Sequence, residues 1–449
     1  MAAQARTRTR TPNEALTRLM AEAGVGNAQL ARRVNTVGAE LGLRLHYDKS
    51  TVSHWLKGSV PKAEARPAVT EALGRLVGRP VVAAELGWGA EAPGTRDVAA
   101  GVMELSRADM DPSRRGVLGA GLYSATLLVP SFQEVLAGRA EAAEAGRTVR
   151  IGAGDVETVR RMTVKVAEIL DEIGAGHARP MAAAFLANTV GAYLKASGPE
   201  HVRRDMRAAA ADLVYLTGWM AMYEERQGLG QRYYLEALAL AGEAEDHVTY
   251  CRTLRGMSLQ ASHLGYGARA LELADAAAEA APAAGPRLVA FLRGQQAHGS
   301  AMVGDRHGAL ARLRETEGAL ARADNRRDAV GGYDEAAYFF HEAHVRWSLG
   351  DGEGSVRSLR RSNAARSAEE RQGRLHCLGV IAERQFRMRH VEAACATWHA
   401  FLDDHVTLSS ARGDAHLTAM LRALPAYRGL GAVRELEERA RHVAAMKAG

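Results

Sequence analysis

The stretch 47–61, YDKSTVSHWLKGSVP, carries side chains whose types and spacing could meet a nucleic acid. Asp48 is a good N-cap, Gly58 sits where a helix would stop and Pro61 blocks continuation, so the spacing predicts one short helix over 49–57. Val52, Trp55 and Leu56 fall at i, i+3, i+4 and form an apolar stripe, which turns Lys49, Ser50, Ser53, His54 and Lys57 outward. Hydroxyls and an imidazole can hydrogen-bond base edges, and two ammonium groups can neutralise phosphates.

Three further short helices must position that one. Thr11 as N-cap with Pro12 behind it opens the first, with Leu16, Leu19 and Met20 inward and Gly24 at its end. The second starts at Asn27, burying Leu30, Ala31 and Val34 and exposing Gln29, Arg32 and Arg33. A fourth over 65–76 carries Val69, Leu73 and Leu76 at i, i+4, i+7, with Gly78 beyond it. Residues 1–80 hold 13 Lys+Arg against 6 Asp+Glu, whereas the remainder holds 45 against 46. A basic head on a neutral body points to a polyanionic partner for the head.

AQLARRV in the second helix, followed by STVSHWLKGSVP with its Val-x-x-Trp core and Gly-x-x-Pro exit, resembles a repressor-type (XRE/Cro-like) helix-turn-helix. The resemblance implies that Ser50, Ser53 and His54 read bases of double-stranded DNA in the major groove. It also implies that Gln29, Arg32, Arg33, Lys49 and Lys57 contact phosphates. One departure is the stretch 35–47, which replaces the family's tight turn and offers Arg44 and His46 as further contacts.

With 449 residues, scarce proline and long runs rich in Ala, Leu, Arg and Glu, the fold class is all-α, a small helix-turn-helix domain followed by an α-solenoid. Residues 1–11 read as a basic disordered arm and 12–88 as the DNA-binding domain. Residues 89–112 have linker composition, 113–130 read as an apolar connecting helix that docks head to body or makes a dimer contact, and 150–449 as the solenoid. Arg114 and Arg115 precede an apolar run, but its position and length argue against an export signal or a membrane span. The N-terminus has no apolar segment after its arginines, so the expected location is cytoplasmic. Cys251, Cys377 and Cys395 are too scattered for a disulfide framework or zinc site and read as buried apolar residues.

In the body, turns at Gly265, Gly304 and Gly350 align a small-x₁₁-small pair, Ser258/Ala270, Ala297/Ala309 and Ala343/Ser355. Gly218/Gly230 and Ala382/Ala394 extend the series to five units, with Tyr234, Leu313, Leu359 and Trp398 four positions after the second small residue. Two antiparallel helices approach closely only where both carry small side chains. The pattern resembles a tetratricopeptide-type array from about 200 to 405, with units longer than the usual 34 residues. In that register Arg252, Arg255, His298, His344, Trp347 and Glu383 face a groove for a peptide, protein or small-molecule effector. His341 and His344 lie at i, i+3 instead of the i, i+4 of a zinc-protease helix, and no phosphate loop or nucleophile elbow is present; the expectation is no enzyme, no cofactor and no metal. The whole arrangement resembles large actinobacterial transcriptional regulators, which implies a cytoplasmic, DNA-binding homodimer. The alternative is a protein-interaction scaffold that does not bind DNA.

Overall fold

The computed structural model describes residues 11–40, 43–88, 97–111, 123–125, 127, 129, 150–281, 285–323 and 333–448. Among them there is no β-strand, only an isolated bridge between Arg150 and Ser197. The chain forms two compact units, residues 1–96 with 111–130 and residues 97–110 with 131–449.

The first unit holds α1 (Glu14–Glu22), α2 (Asn27–Glu40), α3 (Lys49–Leu56), a 3₁₀ turn and α4 (Arg66–Val77). Asn13, not Thr11, caps α1 by accepting from the Leu16 amide, and Gly24 ends it at φ +63°. α2 runs on to Glu40, so half of the expected insertion is helix; Val37 and Gly38 are buried there. A Cβ on Gly38 would meet Leu45 Cδ1 at 2.5 Å, so glycine makes room for that leucine. Asn35 clamps the returning chain, its Nδ2 donating to the Tyr47 carbonyl and its Oδ1 accepting from the Tyr47 amide, both at 2.8 Å. Leu16, Leu19, Leu30, Val34, Val52, Trp55, Val69 and Leu73 form one core, with Trp55 edge-on to Tyr47 at 5.1 Å and to Trp88 at 6.4 Å.

One expectation about the connector is corrected, and another falls mostly outside the described residues. Residues 89–112 are not simply a linker: α5 (Val98–Met110) belongs to the second unit and buries Val98, Val102 and Leu105. Those residues lie at i, i+4, i+7, a helical stripe hidden by the Gly/Ala composition. Most of 113–130 lies outside the described residues, and 123–125 are not helical. They are held on α4, where Ser124 Oγ and the Ala125 amide donate to Glu71, and Arg75 donates to the Tyr123 carbonyl. Apart from Thr11, the N-terminal arm also lies outside the described residues.

The second unit is an α-solenoid. After α6 (Ala153–Ile173) and α7 (Ala175–Phe185), which continues through a π-turn into α8 (Gly191–Leu194), five antiparallel pairs follow. They are α9 (Glu200–Tyr223) with α10 (Gln227–Glu243), α11 (His247–His263) with α12 (Gly267–Glu279), and α13 (Pro286–Met302) with α14 (Arg306–Leu320). The last two are α15 (Glu335–Ser348) with α16 (Gly352–Ala364), and α17 (Arg371–Arg387) with α18 (Val391–His405). α19 (Ala411–Ala423) and α20 (Gly431–Ala448) end the chain.

All five small-x₁₁-small pairs are buried at the crossings, and a Cβ on Gly218 would lie 2.9 Å from Tyr234 Cδ1 and 3.0 Å from Tyr233 Cβ. Tyr234, Leu313, Leu359 and Trp398 are buried beside them. Each turn within a pair passes through one left-handed residue: Glu225, Gly265, Gly304, Gly350 and Arg389. α5 is anchored by a buried ion pair between Asp109 and Arg179, and Tyr233 Oη donates to Asp109 at 3.2 Å.

The stretch after α18 closes the array on its beginning. The Ser409 amide donates to the Ile173 carbonyl at 3.0 Å, and the Gly176 amide to the Ser409 carbonyl at 3.2 Å. Gly174 and Gly176 permit this approach, since a Cβ on either would collide with Ser409. The Ala411 amide reaches Glu224, and Arg412 reaches Glu225 and His263. The first helices of the pairs are thereby wrapped around an interior.

Candidate functional site

On the head, α3 starts where Asp48 accepts from the Thr51 amide at 2.9 Å and from the hydroxyls of Ser50 (2.7 Å) and Thr51 (3.0 Å). These donors, the Thr51 amide foremost, hold the Asp48 carboxyl down to about 2. Ser50 thus spends its proton on the cap and can offer a base only its lone pairs. Lys49, Ser50, His54 and Lys57 are exposed and Ser53 is half-buried; Val52 and Trp55 point into the core. Gln29, Arg32 and Arg33 are exposed on α2, as are Arg44 and His46 between the two helices.

The cations of this unit divide into two sets. Arg66 donates to the Pro61 and Trp88 carbonyls, Arg75 pairs with Glu71 and Glu40, Arg79 with Glu22 and Glu85, and Arg18 with Glu85. Arg32, Arg33, Arg44, Lys49, Lys57 and Lys62 are exposed and have no ion-pair partner among the described residues. The first set is used by the fold, and the second has no ion-pair role in it among the described residues. Lys62 escaped the sequence reading because it lies beyond the helix, after Pro61.

In the body the six predicted groove residues separate. Arg252 turns to Asp212 at 2.9 Å and lies over the Tyr215 ring. His298 lies against His344 with centroids 4.9 Å apart and the rings tilted by 44°, and Arg384 donates to His344 Nδ1 at 3.1 Å while lying 5.0 Å over Trp347. Glu383 accepts from His416 Nδ1 at 2.6 Å. Only Arg255 of the six lines the interior chamber, a cavity of about 250 Å³.

That chamber is walled by Tyr215, Trp219 and Tyr223 of α9, by Phe291 and Phe340, and by Arg255, His263, His376 and Arg412. The signal for it in the sequence was the aromatic repeat at 215, 219 and 223, every fourth residue on one helical face. Arg255 is only 7% exposed; its guanidinium lies 4.3 Å from the Phe291 centroid and 5.9 Å from that of Trp219. Its Nη2 donates to His341 Nε2 at 3.1 Å, so His341 carries its proton on Nδ1 and donates to Tyr333 Oη at 2.9 Å. Arg255 Nε has no partner, and among the described residues no carboxylate pairs with this cation. Arg412 Nη2 donates to His263 Nδ1 at 3.0 Å, which leaves the His263 Nε2 proton and Arg412 Nη1 unpartnered as well. A buried donor without a partner costs about 1–3 kcal/mol, so the chamber is rich in unspent donor capacity.

Burial first, and the nearby guanidiniums second, push His263, His341, His344 and His376 well below the usual imidazole range, and His298 to about 3. All five are therefore neutral at neutral pH. Burial and the neighbouring Glu370 push Asp171, on the chamber wall, up to about 7. Burial pushes the thiols up too, Cys251 to about 12 and Cys377 to about 11, which makes them inert packing groups. Among the described residues no three His, Cys, Asp or Glu side chains are grouped to hold a metal ion, and no helix is long and apolar enough to cross a membrane.

No curated protein matches the chain. Residues 16–89, the stretch that folds into α1 to α4 and ends just past Trp88, match the family described as the SP15 N-terminal domain.

Proposed function

We propose that the chain is a cytoplasmic transcriptional regulator whose head binds double-stranded DNA as a repressor-type helix-turn-helix and whose tetratricopeptide-like body binds an effector and pairs two copies. The observation that carries this reading is the division of head cations, with Arg32, Arg33, Arg44, Lys49, Lys57 and Lys62 unused by the fold. α3 supplies the reading face, with His54 and the Ser53 hydroxyl as base-edge partners and Lys49 and Lys57 at the phosphates. A single small head has limited affinity, and a dimer through the body would present two.

The test is capture and sequencing of fragmented genomic DNA by full-length protein beside His54→Ala and Lys49→Ala/Lys57→Ala variants. Wild type enriches a shared motif, His54→Ala relaxes it, and the double lysine variant binds all sequences more weakly with a salt slope smaller by about 2. Absence of any enriched motif together with a flat salt dependence sinks the DNA-binding reading and favours the scaffold.

A further inference from the structure

We propose that the interior chamber of the solenoid binds a small organic monoanion with a flat aromatic portion, its carboxylate anchored by Arg255. This rests on the body being an effector-binding unit but not on DNA binding by the head.

Charge sets the sign of the ligand. Three cations line the chamber, and two of them have acidic partners: Arg366 pairs with Glu370 at 3.1 Å, and Arg412 with Glu225 at 3.4 Å. Asp334 is occupied in capping α15, where it accepts from the Ala337 amide at 2.8 Å. Burial and Glu370 push the Asp171 carboxyl up to about 7, which weakens its negative charge near neutral pH. Arg255 remains, 7% exposed, with one of its three nitrogens bonded to a neutral imidazole and none to a carboxylate. A guanidinium cannot discharge by losing its proton, so an interior charge of this kind calls for an anion brought from outside.

Shape and surface set the rest. Aromatic rings surround the guanidinium: Phe291 and Trp219 flank it, and Tyr215, Tyr223 and Phe340 continue the wall. Planar π-faces around a single fork-shaped donor suit a conjugated or aromatic acid, with the carboxylate on the fork and the ring stacked among aromatics. About 250 Å³ lies just below the roughly 300–1,000 Å³ of drug-sized sites, which suits a smaller molecule and is short of what an extended peptide needs. Closure of the array by Ser409 and Arg412 encloses the chamber further, because these residues join the two ends of the wrap.

The experiment uses the full chain without DNA. trans-Cinnamate, indole-3-acetate and benzoate are titrated by calorimetry and followed by thermal shift, each beside its neutral amide, on wild type, Arg255→Met and Arg255→Lys. The expected result is that at least one acid binds and raises Tm. Its amide is weaker by about tenfold or more, Arg255→Met removes that difference, and Arg255→Lys keeps part of it. Without ligand, Arg255→Met melts close to wild type, since removal of a buried charge offsets the loss of the donor to His341 Nε2. The inference is overturned if no acid binds at millimolar concentration, if acid and amide bind wild type equally, or if Arg255→Met binds the acid unchanged. Should Arg255→Met fail to fold, the acid–amide comparison on wild type and Arg255→Lys decides alone. Failure of the operator search leaves these assays intact, and their failure leaves the operator search intact.

Discussion

Lowering the pH from about 7.5 to about 5.5 protonates histidines in an unfolded chain but not those held neutral in the body, so the folded solenoid loses stability. A base whose folded pKa is depressed contributes stability above its unfolded pKa, about 6.5 for histidine, and loses it as the pH falls. His263, His298, His341, His344 and His376 are of this kind, held neutral by burial and by Arg255, Arg384 and Arg412. His298, its imidazole pushed down to about 3, costs about 1.4 kcal/mol at the lower pH, and the other four act in the same direction. Asp171 works in the opposite sense, because its carboxyl, raised to about 7, takes up a proton in the folded state first; it returns about 2 kcal/mol. Burial raises Asp212 and Glu224 as well, which return more. Five histidines against three carboxylates leave a net loss, and a few kcal/mol is a large part of the ~5–15 kcal/mol that holds a domain together. Calorimetric melting of the full chain should show the body transition falling by several °C between the two pH values. His298→Gln should reduce the proton uptake on unfolding by nearly one. The reasoning fails if the body transition does not move, or if imidazole resonances of these residues titrate near the ordinary value in the folded protein.

Three further outcomes follow from the packing. Asn35→Ala removes both hydrogen bonds that tie Tyr47 to α2 and should destabilise the head by about 2 kcal/mol, read as faster hydrogen exchange in peptides over α2 and α3 with the body unchanged. Gly218→Ala gains up to about 1 kcal/mol of helix propensity yet should cost about 1–3 kcal/mol net, because its methyl meets Tyr234 and Tyr233; a higher Tm would contradict the crossing geometry. Arg389→Gly relieves a left-handed backbone at φ +65° and should stabilise the last pair by about 0.5–1 kcal/mol in denaturant titration, where Leu402→Gly in the helix behind it should not.

Much of the secondary structure was legible because it is local. The apolar stripes of α1 to α4 and the stops at Gly24, Gly58 and Gly78 are short-range signals, as are the small residues at the five crossings, and a 3.6-residue period or an 11-residue gap survives in any tertiary context. α5 was obscured because composition outweighed a three-residue stripe. Lys62 was missed because it belongs to no helix, and the half-helical character of 35–47 because Gly38 looked like a breaker until Leu45 was seen to need its space.

What the sequence determined by itself, then, is the kind of element and the face each one buries: all-α, a basic head, and helix pairs that cross where side chains are small. What tertiary structure decided is where the pairs end up. Closure depends on small rotations accumulated from pair to pair, so Ser409 meeting Ile173 and Arg412 meeting His263 have no local signature. The chamber follows from that closure. It gathers Asp171, Tyr215, Arg255, Phe340 and Arg412 from five helices along most of the body, and only there does Arg255 become a buried cation without a carboxylate among the described residues. Which side chains a helix turns inward is a matter of period; what they find there is a matter of the whole fold.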